Sequence, residues 1–288
     1  MMTKRTRLKG HLHTMEEIGD IMNAMKNLCF IEMNKITKVL SMQAQVMQGL
    51  HEVSRDFLSF YPLFPTRKKG DHPAIYILIG SERGFCGPFN DTVIHQLDIL
   101  IEQNPVPTPT LIVVGHKLAS KMAEDSRVMT ILGGPNSIEE IPSVILNLLQ
   151  TLEKVSSQRH IALHSWQWDI IFNEEEHNQV QAKTLQPFKE FYVDDEAPYF
   201  ISPFLNLPHE QFIAEYADHY LFAMCYSVFY QSFFAESHQR LFHLNNALDH
   251  LEDKKNSLKK YLNLLRQEEI TEEIQIIMLS AESLIGNK

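Results

Sequence analysis

Proline is missing from both ends of this chain. All thirteen prolines fall between Pro62 and Pro208, and a proline breaks a helix interior by removing a donor and clashing with the preceding turn. The two flanks are therefore free to be helical, and turns and strands belong to the middle. From His209 to Ile285 glycine is absent as well. Cysteine is scarce: Cys29, Cys86 and Cys225 are far apart, odd in number and form no C-x-x-C pair. That excludes a disulfide framework and suits buried thiols in a reducing cytosol. Basic charge is in deficit, and a formal net charge of −10 argues against broad nucleic-acid binding, which needs a basic face. No apolar run reaches the roughly 18 residues of a membrane span, and no secretory leader is visible at the start. The expectation is a soluble protein.

What is there begins with the rear flank. Leu241, Leu244, Leu248, Leu251, Leu258, Leu262 and Leu265 recur at spacings of three and four or their sum, the mark of an amphipathic helix with a narrow seam. At 1.5 Å per residue such a helix runs about 110 Å, far beyond the width of a compact domain of this length. The front flank, Thr3 to Phe60, repeats the pattern at Leu8, Leu12, Met15, Ile18, Met22, Met25, Cys29, Met33, Ile36 and Leu40, a period near 3.5. Gly10, Gly19 and Gly49 weaken it by about 1 kcal/mol each relative to alanine, so packing must hold it. The methionines of this seam are flexible filler that tolerates sliding.

The middle alternates in type. Ala74–Gly80 (AIYILIG), Thr110–Gly115 (TLIVVG) and Val128–Leu132 read as strands, with His160–Ser165, Val180–Leu185 and Tyr199–Ile201 as further candidates. Asp91–Glu102, Lys117–Glu124 and Ser137–Val155 read as helices, the last opened by a capping box of Ser137 and Glu140. Strands alternating with helices predict a parallel sheet with crossovers, so an α/β domain. The chain divides into 1–61, a front helix; 62–208, the inserted α/β domain; and 209–288, the rear helix. The two helices pair antiparallel, and the rear one exceeds its partner by roughly 20 residues, or 30 Å. Its last stretch holds Ile270, Ile274, Ile276, Ile277, Met278, Leu279, Leu284 and Ile285, apolar on more than one side. A helix of that kind is buried, yet no partner from this chain is left, which points to a sleeve of other subunits.

Candidate chemistry is sparse. The loop SERGFCGPFN, Ser81–Asn90, stands where α/β folds bind phosphates, but it has neither the GxGxxG spacing nor the GxxxxGK[ST] lysine. Gly84 and Gly87 read as turn glycines with positive φ. His13 and Glu17 share a helix face without forming a metal set, which takes four ligands in structural sites. His11 faces elsewhere, and His243 and His250 are one heptad apart on a helix face. Trp166 and Trp168 share a strand face, a packing pattern. No nucleophile stands beside a base at a recognisable spacing, so no catalytic residue, cofactor or metal is expected. On the rear helix Lys254, Lys255, Lys259, Lys260 and Arg266 precede Glu268, Glu269, Glu272 and Glu273. Arg266 and Gln267 stand where the seam gives way to the apolar end, placed to hydrogen-bond a partner's carboxylates.

Four of these segments carry a resemblance. RQEEITEEI, Arg266–Ile274, resembles the C-terminal RQxxITxE signature of the gamma subunit of F-type ATP synthases. The SERGFCGPFN loop resembles that family's S-D-R-G-L-C-G-G-L-N motif through Ser81, Arg83, Gly84, Cys86, Gly87 and Asn90. IMNAMKNL, Ile21–Leu28, is similar to I-T-K-A-M-x-M-V, with Met25 on its methionine. AESHQRLFHLNNAL, Ala235–Leu248, is similar to A-S-E-x-x-A-R-M-x-A-M-x-x-A. The HLHTMEEIGDIMNAMKNL opening is most similar to gamma subunits of the sodium-linked type found in some bacteria. Pro88 and Phe89 depart from the family's glycine and leucine, and Lys26 stands where an acidic residue is common.

The resemblance implies a long antiparallel coiled coil carrying an inserted Rossmann-like α/β domain. It implies a non-catalytic rotor subunit that penetrates a ring of alpha and beta subunits and binds epsilon and the ring of c subunits. The place it implies is the cytoplasmic face of a bacterial inner membrane, peripherally attached. Met25, Arg266, Gln267, Ile270, Thr271 and Glu273 then face the stator, and Ile274, Ile277, Met278 and Leu284 turn in an apolar bearing. Two other readings of the residues stay open at this point: an α/β nucleotide-binding enzyme dimerising through its helices, and a coiled-coil adaptor.

Overall fold

The computed structural model describes residues 4–58, 60, 74–103, 109–159, 167–176, 179–185 and 204–285. In order these form α1 (Lys4–Leu58), β1 (Ala74–Ile79), α2 (Phe89–Gln103), β2 (Thr110–Val114), α3 (His116–Lys121) and β3 (Val128–Leu132). A 3-10 turn at Ile138–Glu140 leads into α4 (Ile141–Arg159), followed by β4 (Gln167–Glu176), β5 (Gln179–Leu185) and α5 (His209–Ile285). Two compact units result: Met1–Leu28 with Leu241–Lys288, and Cys29–Arg240.

The first unit is an antiparallel helix pair. On α1 the covered positions include Leu8, Leu12, Met15, Gly19 and Met22; on α5 they include Leu244, Leu248, Leu251, Lys255, Leu258, Leu262, Leu265 and Glu269. Both series alternate steps of four and three, the geometry of a coiled-coil seam. Arg5 pairs with Glu269 at 2.8 Å, and the Lys4 ammonium lies 5.3 Å from the Tyr261 ring centre. Ile18, expected in the seam, is exposed, and the buried position is Gly19. The alternation running on from Met15 lands on 19, where a Cβ would stand 3.2 Å from Leu251 Cδ2. Glycine there lets the helices approach closely. Past the Arg5–Glu269 pair, α5 continues to Ile285, about sixteen residues or 24 Å.

The second unit is built on a five-stranded sheet of order β3-β2-β1-β4-β5. Its first four strands are parallel, and β5 runs antiparallel to β4. The parallel sheet with crossovers that the alternating pattern predicts is present in the first four strands; β4 and β5 are too close in sequence for a crossover, which takes a dozen residues or more. One sheet face, through Ile75, Ile77, Ile112, Ile170 and Phe172, packs with Ile145, Leu148 and Leu152 of α4, Ile36 of α1, and Tyr220, Met224 and Phe229 of α5. The other, through Tyr76, Leu78, Leu111, Val113 and Ile171, is covered by Val93 and Leu97 of α2 and Leu118 and Met122 of α3. Burial on both faces is why β1 and β2 read as unbroken apolar runs. Gln43 donates to the Ala223 carbonyl at 2.6 Å and Tyr216 to the Leu50 carbonyl at 2.6 Å, tying α1 to α5.

Several sequence expectations change. The capping box is not formed: Ser137 is extended and makes no side-chain cap, while Glu140 accepts from the Asn136 backbone and side chain. The α-helix starts at Ile141, with Pro142 in its first turn, where a missing N–H costs nothing. α3 stops at Lys121 rather than Glu124. Of β4 the sequence marks only Trp168 as lying on a strand face, whereas the strand runs from Gln167 to Glu176. His160–Ser165, Tyr199–Ile201 and Trp166 lie outside the described residues, and Trp168 is buried against the sheet core.

Glycines separate by context. Gly115 has φ +104° and an added Cβ would lie 2.7 Å from the Gly80 carbonyl oxygen, whereas nothing lies within 4 Å of one at Gly10. Gly115→Ala should therefore cost about 2 kcal/mol or more, and Gly10→Ala should gain about 0.5–1 kcal/mol. Denaturant unfolding of the two variants, read at the matching transition, checks both signs.

Candidate functional site

The end of α5, in the first unit, is bare. Every residue from Thr271 to Ser280 is exposed, among them Ile274 at 52%, Ile277 at 64% and Met278 at 60%. Ile276 and Leu279 are exposed too, so the apolar surface goes round the helix. Covered seam positions stop at Glu269, and from Ile270 to Ser280 every residue is exposed. Arg266, Gln267, Ile270, Thr271 and Glu273 are all exposed at the seam's end, with the Thr271 hydroxyl donating to the Gln267 carbonyl. The side chain of Leu284 lies outside those described. Met25 is half-buried and Lys26 likewise. Met25 stands about 20 residues, roughly 30 Å, along α1 from the Arg5 that meets Glu269, so the structure does not bring it together with Arg266 and Gln267.

In the second unit, the Ser81–Asn90 loop is a fastening rather than a phosphate cradle. Asn90 Oδ1 accepts from the Ser81 backbone at 2.9 Å while Asn90 Nδ2 donates to Ser81 Oγ at 2.9 Å, both groups buried. Arg83 Nε donates to Asn136 Oδ1 at 2.9 Å. Gly87 has positive φ as expected, but Gly84 does not; exposed Phe85 takes the left-handed conformation instead, at φ 65°. Gly84 matters for its carbonyl, which accepts from Arg240 Nε of α5 at 3.1 Å. Pro88 and Phe89 are accommodated at the start of α2: the Pro88 carbonyl accepts from the Thr92 amide, and Phe89 is buried with Cys86 and Ala235.

Arg240 also pairs with Glu236 one turn earlier, their side chains only 8% and 5% exposed. Burial pushes the Glu236 carboxyl up, against the pull of Arg240 and the Arg83 amide. Around the same guanidinium stand two thiols, Cys29 of α1 and Cys86 of the loop. Burial raises both, Cys86 to about 12, and Cys225 likewise to about 12. All three are buried and free, so they stay protonated and inert.

The sequence reading missed Glu82 and His116. Each of β1, β2 and β3 runs into glycine, at Gly80, Gly115 and Gly133–Gly134, a repeated signal that marks the carboxyl ends of the sheet. Across them lies the Glu82 carboxylate. Its Oε2 accepts from the His116 amide at 3.0 Å and the Gly134 amide at 2.7 Å, and Oε1 lies 2.5 Å from His116 Nδ1. Burial works to raise this carboxyl; the two amides and the ring outweigh it and hold it below the ordinary range. Among the described residues no group of three or more His, Cys, Asp or Glu side chains is arranged to hold a metal. His13 lies 3.5 Å from Glu17, both exposed. No described helix is long and apolar enough to cross a membrane.

These features define a class, an α/β sheet framed by two long helices from opposite ends of the chain. A sequence model of the family described as ATP synthase matches residues 4–284. The ATP synthase gamma chain of Clostridium botulinum strain Okra is 27% identical over 217 residues, 74% of each chain. That of Fusobacterium nucleatum is 27% identical over 115 residues, 38% of this chain and 40% of its own. Among solved structures, a chain of the Euglena gracilis mitochondrial ATP synthase OSCP/F1/c-ring assembly superposes with a TM-score of 0.66 at 15% identity, covering 99% of this chain and 96% of that one. A chain of the Tetrahymena thermophila central stalk and c-ring gives 0.56 at 18%, covering 79% and 99%. The chain belongs to the ATP synthase family, as a gamma subunit of the F type and so a central-stalk component.

Arg240→Ala should cost about 3–5 kcal/mol, because it strands the buried Glu236 carboxylate. Arg240→Met with Glu236→Leu should cost much less, and urea unfolding of both variants checks the difference. Glu82 gives a pH signature. Its folded carboxyl titrates below its unfolded value, so its stabilisation is full above the unfolded value, near 4, and is lost as pH falls through the folded one. Glu82→Gln should remove that acid-side slope, as measured by unfolding between pH 6 and 3.

Proposed function

We propose that the chain is the rotating shaft of an F-type rotary ATPase, without catalytic chemistry of its own. It couples ion flow through a membrane-embedded ring of c subunits to ATP synthesis or hydrolysis in a ring of alpha and beta subunits. The observation that carries this reading is the exposed apolar end of α5. Burying isoleucine, leucine or methionine is worth about 1.5–3 kcal/mol for each side chain. Several of them left bare at the end of a helix give a strong drive toward a foreign apolar sleeve. Such contact is non-directional, so Ile274, Ile277, Met278 and Leu284 form a bearing surface with no preferred angle.

Below that end the contacts become polar and angle-dependent. Arg266, Gln267, Ile270, Thr271 and Glu273 meet loops of the beta subunits, with Met25 on the other helix as a further stator contact at a separate level. The α/β domain, 62–208, sits between the helical segments 1–61 and 209–288 and engages epsilon and the c ring at the cytoplasmic face of a bacterial inner membrane. In this reading the coupled ion is chosen in the c ring.

Co-purification tests the reading: the tagged chain should bring down an alpha–beta ring that hydrolyses ATP. A stable homo-oligomer with no such partners would sink it. Arg266→Ala with Gln267→Ala should weaken assembly by roughly 10- to 100-fold, as expected for the loss of one charge-assisted hydrogen bond of about 1.5–3 kcal/mol, while leaving the helix content of the isolated chain unchanged. Unaltered assembly and turnover would remove these two residues from the contact.

A further inference from the structure

The carboxyl ends of the parallel strands are where α/β folds take up phosphates, and in this chain an anion already sits there, supplied by the chain itself. The Glu82 carboxylate receives amides from two different strand ends, His116 after β2 and Gly134 after β3, together with the His116 ring nitrogen. The surroundings are built to fit it closely. A Cβ on Gly134 would stand 3.2 Å from Glu82 Oε2, and one on Gly115 would strike the carbonyls of Gly80 and Ser81 at 2.7 and 2.8 Å. The neighbouring Lys117 amide is already donated to the Ser81 carbonyl at 3.1 Å. Donors, position and close backbone approach are those of an oxyanion site. The occupant is covalently attached.

We infer that Glu82 is an internal stopper in an oxyanion-binding site at the ends of β1, β2 and β3, and that inorganic phosphate enters the site once the carboxylate is removed. With the stopper in place the α/β unit has no affinity for the phosphates of nucleotides. This inference does not depend on the rotor reading; it concerns one crevice within the second unit.

The test is thermal unfolding of the full chain as wild type, Glu82→Ala and Glu82→Gln, in 100 mM phosphate and in sodium chloride of equal ionic strength. Glu82→Ala should melt lower in chloride and recover about 3 °C in phosphate, the shift expected for binding to the folded state with a Kd of about 10 mM. Wild type and Glu82→Gln, whose crevices remain filled, should not distinguish the two salts. Equal phosphate shifts in all three chains, or none in a folded Glu82→Ala, would overturn the inference. Should Glu82→Ala fail to fold, the amide NMR signals of the other two chains decide. In wild type the His116 and Gly134 amides should shift together in a single acid step that Glu82→Gln lacks; their absence from that step removes the stopper.

Discussion

A narrow apolar seam on a very long helix is the constraint that shapes everything else in this molecule. An isolated helix gains little from propensity alone, and from Leu248 to Glu269 the covered positions of α5 lie on one stripe. That stripe must be matched by another helix of the same period. In the first unit α1 supplies it through Leu8, Leu12, Met15, Gly19 and Met22, with the Arg5–Glu269 pair at the limit of the overlap. Beyond the limit the helix keeps its apolar residues and loses its cover. In the proposed shaft, function begins where the pairing ends.

The second unit solves a different problem, fixing a twisted sheet to two helices. Apolar packing on one sheet face does most of it, with Ile36 and Phe229 fully buried among strand residues. Orientation comes from a few polar ties. Glu32 of α1, itself buried, accepts from the Ile138 amide at 3.3 Å and from Lys35 at 3.1 Å. Arg240 reaches the Gly84 carbonyl while paired to Glu236. A buried ion pair of this sort adds little net stability, since desolvation offsets the attraction. What it fixes is which part of the loop meets which turn of the helix.

Much of this architecture is legible in the residues. Proline placement separates helical flanks from the sheet, and the Leu repeat locates the seam. β1 and β2 emerge from apolar runs bounded by turn signals, because both sheet faces are covered there, and β3, whose residues alternate between half-buried and exposed, emerges from a shorter run of the same kind. What escapes is settled by tertiary geometry. Hydrophobicity puts Ile18 in the seam, but close approach requires Gly19. Turn propensity assigns positive φ to Gly84, and the structure strains Phe85 instead. Ser137 and Glu140 have the spacing of a capping box, yet Glu140 turns back to Asn136. Glu82 is invisible in the sequence because its partners, the amides of residues 116 and 134, are backbone groups brought in by folding. The likeness of RQEEITEEI and SERGFCGPFN to a family motif identifies the chain more sharply than any chemistry in those segments.

The buried thiols have a practical consequence. Cys29, Cys86 and Cys225 are shielded and held in the protonated form, whereas maleimides and similar electrophiles attack exposed thiolates. The native chain is therefore chemically silent toward such reagents while folded. A single cysteine introduced on the open surface of α5 becomes the lone attachment point for a fluorophore or bead, with no background to engineer away. The rotation proposed for this polypeptide can then be looked for one molecule at a time.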